Sequence, residues 1–167
     1  MNTDSKDYFG FVINKNAFTE EEIKREIENG IIAENAISWT AENGYLDLTE
    51  KLIEAGADIK ENRNYPLELA SRNGHTQIVK RLLEAGASPL DGDDKDYCLR
   101  LASYNGNIEI VNMLLDAGSD PTLGDYYALM LALNSAHMDV VEVLLDAIYK
   151  RRNGKKETIK KHVKVDK

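Results

Sequence analysis

Four segments of this chain repeat one grammar: an apolar helical run, a polar break, a second apolar run and a stop. They are ISWTAENGYLDLTEKLIEAGAD from Ile37, LELASRNGHTQIVKRLLEAGA from Leu67, LRLASYNGNIEIVNMLLDAG from Leu99 and LMLALNSAHMDVVEVLLDA from Leu129. The breaks fall at Gly44, Gly74, Gly106 and Ala136, spaced 30, 32 and 30 residues apart. A period in that range marks a stack of repeated supersecondary units. Within one copy Ile110, Val111, Leu114 and Leu115 share a helical face, and Cys98, Leu101 and Ala102 share another. Helices this short are not stable alone in water, so neighbouring copies must bury one another's stripes. Asn-Gly reverses the chain between two antiparallel helices, and Ala-Gly ends the second, because Gly accepts the left-handed backbone of a helix C-terminus.

The frame Ala70-x-x-x-Gly74-His75, then Ile78-Val79-x-x-Leu82-Leu83, then Ala85-Gly86-Ala87 resembles the ankyrin repeat family. It recurs from Ala102 to Gly118 and, less perfectly, near the N-terminus. The resemblance implies an all-α solenoid of stacked helix-turn-helix repeats with short hairpin loops and helical caps. The expected organisation is an N-terminal segment and capping helix over 1–34, and four repeats over 35–60, 61–90, 91–121 and 122–149. A basic tail or cap over 150–167 follows. The family's Thr-Pro-Leu-His opening appears here as Tyr65-Pro66-Leu67-Glu68, Tyr97-Cys98-Leu99-Arg100 and Tyr127-Ala128-Leu129-Met130. Only Leu is kept throughout, so a tyrosine ladder is expected in place of the family's hydrogen-bond staple. The connections from Gly56 to Leu67 and from Gly118 to Leu129 are both 11 residues, which predicts stubby fingers. Short repeats of this kind, with Asn/Asp-Tyr before the first helix, resemble those abundant in large DNA viruses of amoebae.

The ends of a solenoid need polar covers. Thr19-Glu20-Glu21-Glu22 is a capping-box pattern, Ile23 and Ile27 give the helix an inner face, and Asn29-Gly30 ends it. Tyr8 to Ile13 is a short apolar run expected to pack on the first repeat. At the other end Ala147-Ile148-Tyr149 replaces Ala-Gly-Ala. The last helix should therefore run on toward Asn153-Gly154 with Lys150, Arg151 and Arg152 on its outer face.

Catalytic apparatus is not visible: no phosphate-binding loop, nucleophile elbow or zinc spacing occurs. His75 and His137 follow equivalent turns two repeats apart, too far to share a metal, and read as turn-stabilising residues. Asp91, Asp93 and Asp94 faintly resemble a calcium loop, but the last acidic ligand is missing and Lys95 intrudes. Cys98 falls in the helical stripe and reads as core. No cofactor or metal is expected.

Charge is strongly asymmetric. Residues 150–167 hold nine Lys/Arg against two acids, a balance of +7, whereas the whole chain carries −8 and the remainder therefore −15. An acidic body favours cationic partners, and a basic tail the reverse. With 43% hydrophobic residues and no apolar run near membrane-spanning length, the expectation is a monomeric intracellular protein, cytoplasmic or nuclear.

The family resemblance implies a non-enzymatic module that binds another protein through a concave face. Carried onto this chain, that face takes Glu42, Asn43, Asn62, Asn64, Arg72, Asn73, Asp94, Asp96, Tyr104, Asn105, Asp125, Tyr126 and Asn134. The alternative is a tether to nucleic acid or anionic lipid, or a nuclear address, through Lys150, Arg151, Arg152, Lys155, Lys156, Lys160, Lys161 and Lys164.

Overall fold

The computed structural model describes residues 18–91 and 95–163, with side chains to Asn153. The apolar run Tyr8–Ile13, Asp93, Asp94 and Lys164 lie outside the described residues. Helices occupy Glu20–Glu28 (α1), Ala36–Asn43 (α2), Leu46–Glu54 (α3), Glu61–Asn73 (α4), Thr76–Glu84 (α5), Tyr97–Tyr104 (α6), Ile108–Asp116 (α7), Leu123–Asn134 (α8) and Met138–Val163 (α9). Each pair α2/α3, α4/α5, α6/α7 and α8/α9 packs as a hairpin. The first helices α2, α4, α6 and α8 stack in one row, and α1, α3, α5, α7 and α9 in a second. The expected solenoid is therefore present. Helix α1 stacks on α3, in the row of second helices, as a degenerate repeat requires.

The core lies between the rows. Ile78, Val79 and Leu82 of α5 and Ile110, Val111 and Leu114 of α7 are buried on the predicted stripe, with Leu115 half-buried at its edge. Cys98, Leu99 and Ala102 close the same core from α6. Burial and the charge on Glu68 push the Cys98 thiol well above its ordinary pKa, which makes it inert.

Each inter-helix turn uses a left-handed residue: Gly44, Gly74 and Gly106 at φ +80°, +76° and +72°, and Ala136 at φ +59°. At the three glycines a second constraint acts. A Cβ on Gly44 would stand 2.7 Å from His75, one on Gly74 3.0 Å from Asn107, and one on Gly106 2.5 Å from His137. Each turn is thus covered by the next repeat's turn residue, and His75 Nε2 lies 2.9 Å from the Glu42 carbonyl across that joint. The turn-stabilising reading of His75 agrees with this contact. Ala136 is exposed, and among the described residues no turn covers it.

The connections are tight turns, and no strand occurs among the described residues. Asp58, Ser88 and Asp120, two residues after each stop glycine, accept the backbone N–H of Lys60, Leu90 and Thr122. These side-chain turns start the next repeat. Beyond them Asn62-Arg63-Asn64 and Gly124-Asp125-Tyr126 each run three residues in the left-handed region before the right-handed helix begins. Pro66 sits in the first turn of the right-handed part of α4, where its missing N–H costs nothing.

The ends differ. Thr19 and Glu22 form the predicted capping box, which holds the Glu22 carboxyl below its ordinary pKa, and α1 ends at Asn29 as expected. The last helix continues ten residues past Asn153, to Val163. Gly154 costs a helix only about 1 kcal/mol relative to Ala, and the Lys-rich run after it has the propensity to offset that.

Candidate protein-binding surface

The inner first helices α4 and α6 have neighbours on both sides in their own row and a second helix behind, so one face stays open. In α4 that face carries Tyr65, Glu68 and Arg72, all half-buried at helical spacing. Repeat register extends it into three columns. The finger-side column is Asn35, Tyr65, Tyr97 and Tyr127; the middle is Ser38, Glu68, Arg100 and Met130; the turn-side is Glu42, Arg72, Tyr104 and Asn134. Exposure rises along the middle and turn-side columns toward the C-terminal repeat. Ser38 is buried and donates from N–H and hydroxyl to Glu61, whereas Met130 is 48% and Tyr104 54% exposed.

Interactions between repeats fix these columns. Arg72 pairs with Glu42 at 3.4 Å. Asn73 Nδ2 donates to the Glu42 carbonyl at 3.0 Å, and Asn105 Nδ2 to the Arg72 carbonyl at 2.9 Å, so the polar ladder ties adjacent first helices together. The Arg100 guanidinium carbon lies 5.4 Å from the ring centroids of both Tyr97 and Tyr127. Cation–π attraction over two faces holds it. The expected tyrosine ladder thus exists in the last two full repeats as a Tyr–Arg–Tyr sandwich. Burial lowers the pKa of Arg100 and raises that of Asp96, whose Oδ1 is 3.4 Å from Arg100 Nε.

The sequence-predicted residues divide accordingly. Asn43, Asn62, Asn73, Tyr104, Asn105, Asp125, Tyr126 and Asn134 are exposed, and Glu42 and Arg72 are half-buried in their ion pair. Asn64 and Asp96 are buried, at 2% and 5% exposure. Both are out of a partner's reach. Asn64 instead donates to the Ser88 carbonyl in the following finger, a packing role that a loop asparagine in the sequence does not announce. Asn62 donates to Asn35 across the first joint. Sequence reasoning passed over the middle column and Tyr127, although stepping four residues back from Glu42, Arg72, Tyr104 and Asn134 reaches Ser38, Glu68, Arg100 and Met130. Glu68 carries the site's most displaced carboxyl pKa: burial raises it from 4.5 to about 7, against a smaller opposing pull from Arg72.

Lys150, Arg151 and Arg152 are exposed on α9, with Lys150 Nζ 2.6 Å from Asp146 and Arg151 2.8 Å from Asp120. Lys155, Lys156, Lys160 and Lys161 fall on its helical backbone. Asp91, the described part of the calcium-like stretch, is 2.8 Å from Lys60 of the preceding finger. Among the described residues no group of three His, Cys, Asp or Glu could hold a metal ion.

The sequence profile described as ankyrin repeats (3 copies) matches residues 19–93 and again 37–125. The chain belongs to the ankyrin repeat family. The first match begins at the N-cap of α1, in agreement with α1 as part of an ankyrin repeat. Comparison with curated proteins finds no match. Ankyrin repeats are generally protein–protein interaction modules and typically non-enzymatic. Among the described residues no helix of this ankyrin protein is long and apolar enough to cross a membrane.

Proposed function

We propose that this ankyrin chain is a non-enzymatic adaptor that binds a cationic protein segment along the open face of its first-helix row. The observation that carries the reading is the exposed set Tyr104, Tyr126, Tyr127 and Met130 at the C-terminal half of that face. Aromatic anchors on rigid helices lose little entropy when a partner orders them, and such residues dominate binding energies. The acidic body supplies long-range attraction for a basic segment.

Capture from a lysate of the source organism tests this with three chains: intact, Tyr104→Ala/Tyr126→Ala/Met130→Ala, and one ending at Tyr149. A partner held by the intact and shortened chains and weakened by at least ~2 kcal/mol in the triple variant supports the open face. A second reading draws on the +7 balance of residues 150–167. There a polyanion is lost with the truncation alone, and its binding falls steeply between low and physiological salt.

A further inference from the structure

Four columns of side chains are covered in the inner repeats and bare in the last. Ala41, Ser71 and Ser103 are fully buried, but their register equivalent Leu133 is 43% exposed. Leu46, Thr76 and Ile108 are half-buried, as are Ile53, Leu83 and Leu115, while Met138 and Leu145 in those columns are exposed. Ala57, Ala87 and Ser119 are replaced by Tyr149, at 68% exposure the barest large apolar residue described. Among the described residues nothing is stacked on this face.

On α9 the bare residues form one seam: Met138, Glu142, Leu145, Tyr149 and Arg152, spaced four, three, four and three. That is the alternation of a two-helix packing seam. A shallow depression lined by Leu145, Asp146, Ile148, Tyr149 and Arg152 runs along it. Read backward, the seam complements itself. With the helix laid antiparallel on its own copy about residue 147, Leu145 faces Tyr149, Tyr149 faces Leu145, Glu142 faces Arg152 and Arg152 faces Glu142. Apolar contacts fall at the centre and opposite charges at both edges, the arrangement a two-fold interface needs. Glu142 and Arg152 are exposed, and among the described residues neither is in an ion pair.

We infer that the uncovered C-terminal end is a homodimer interface, in which α9 packs antiparallel on α9 of a second copy through Leu145–Tyr149 and Glu142–Arg152 contacts. This goes beyond the adaptor reading and leaves the open face free. It differs from the monomer expected from the sequence.

Sedimentation equilibrium of the full chain from about 5 μM to about 1 mM tests it. The expected result is a concentration-dependent shift from 18.8 kDa to twice that mass. Glu142→Arg and Arg152→Glu each place two like-charge pairs at the edges and weaken the dimer by roughly tenfold or more. The double variant Glu142→Arg/Arg152→Glu restores association. Both substituted positions are on the surface, and circular dichroism confirms the fold. A monomer throughout the range overturns the inference, as does a dimer indifferent to the single reversals or one that the double variant fails to restore.

Discussion

The two ends of the solenoid solve the same problem differently. At the N-terminal end α1 spends its one apolar stripe inward, with Ile23 buried and Ile27 half-buried, and turns Glu20, Glu21 and Lys24 outward in salt bridges. Phe18, Trp39 and Tyr45 close the joint, Trp39 stacking on Tyr45 at 5.1 Å and meeting Phe18 edge-on at 6.1 Å. At the C-terminal end α8 and α9 carry large apolar residues in the stacking columns, and their Leu133, Met138, Leu145 and Tyr149 face outward. Among the described residues the α1 end presents charged side chains. An end that retains stacking residues is built to be met.

The contrast has energetic consequences. Leu114, fully buried between repeats, should lose about 2–5 kcal/mol on change to Ala, through lost transfer energy and the cavity left behind. Leu145→Ala, at the same apolar chemistry but half exposed, should cost under about 1 kcal/mol in a monomeric Glu142→Arg background. Urea unfolding of the two variants measures the gap. Equal losses would mean that the end is covered after all.

The turns sharpen the same distinction. Gly106→Ala combines left-handed strain with a Cβ 2.5 Å from His137, and should destabilise by about 2–3 kcal/mol. Ala136→Gly, at a turn where no further repeat stacks, should change stability by under ~0.5 kcal/mol, strain relief being offset by the entropy of glycine. Thermal melts of both report whether turn glycines matter for conformation alone or for stacking.

A smaller effect belongs to the middle of the stack. Because burial raises the folded pKa of Glu68 to about 7 from 4.5, the fold favours the protonated carboxyl. The contribution is fully present below about pH 4.5 and is lost as pH rises through 7. Glu68→Gln should therefore match the parent near pH 4.5 and exceed it by roughly 1–2 kcal/mol at pH 8, after allowance for solvent screening. Stability curves against pH for the two chains check the sign.

What could be read from the sequence was what short-range chemistry determines. The turn positions, the buried stripe through Leu82 and Leu114, and the Thr19–Glu22 capping box all follow from helical period, glycine and a hydroxyl three residues before a carboxylate. Burial of Asn64 beneath the Ser88 finger and of Asp96 beside Arg100 depends on packing particular to this chain, so the family's exposed positions, carried over by register, put them on the surface. The left-handed run at Asn62-Arg63-Asn64 was hidden because Arg is no marker of that backbone. The open end was hidden by the basic residues that follow it. Lys150, Arg151 and Arg152 looked like a polar cover, but only Arg152 lies on the side that Leu145 and Tyr149 occupy.

Thiol labelling tests the closed-against-open contrast most directly, because the single native cysteine, Cys98, is buried with a raised pKa and supplies a silent background. Leu133→Cys and Ile23→Cys place one reporter at each end of the native stack. In the dimer-weakened Glu142→Arg background at low micromolar concentration, the Leu133→Cys thiol should react within about tenfold of an unfolded thiol, and the Ile23→Cys thiol orders of magnitude more slowly, limited by local opening of α1. Comparable rates at the two ends would contradict a solenoid closed at α1 and open at α8 and α9.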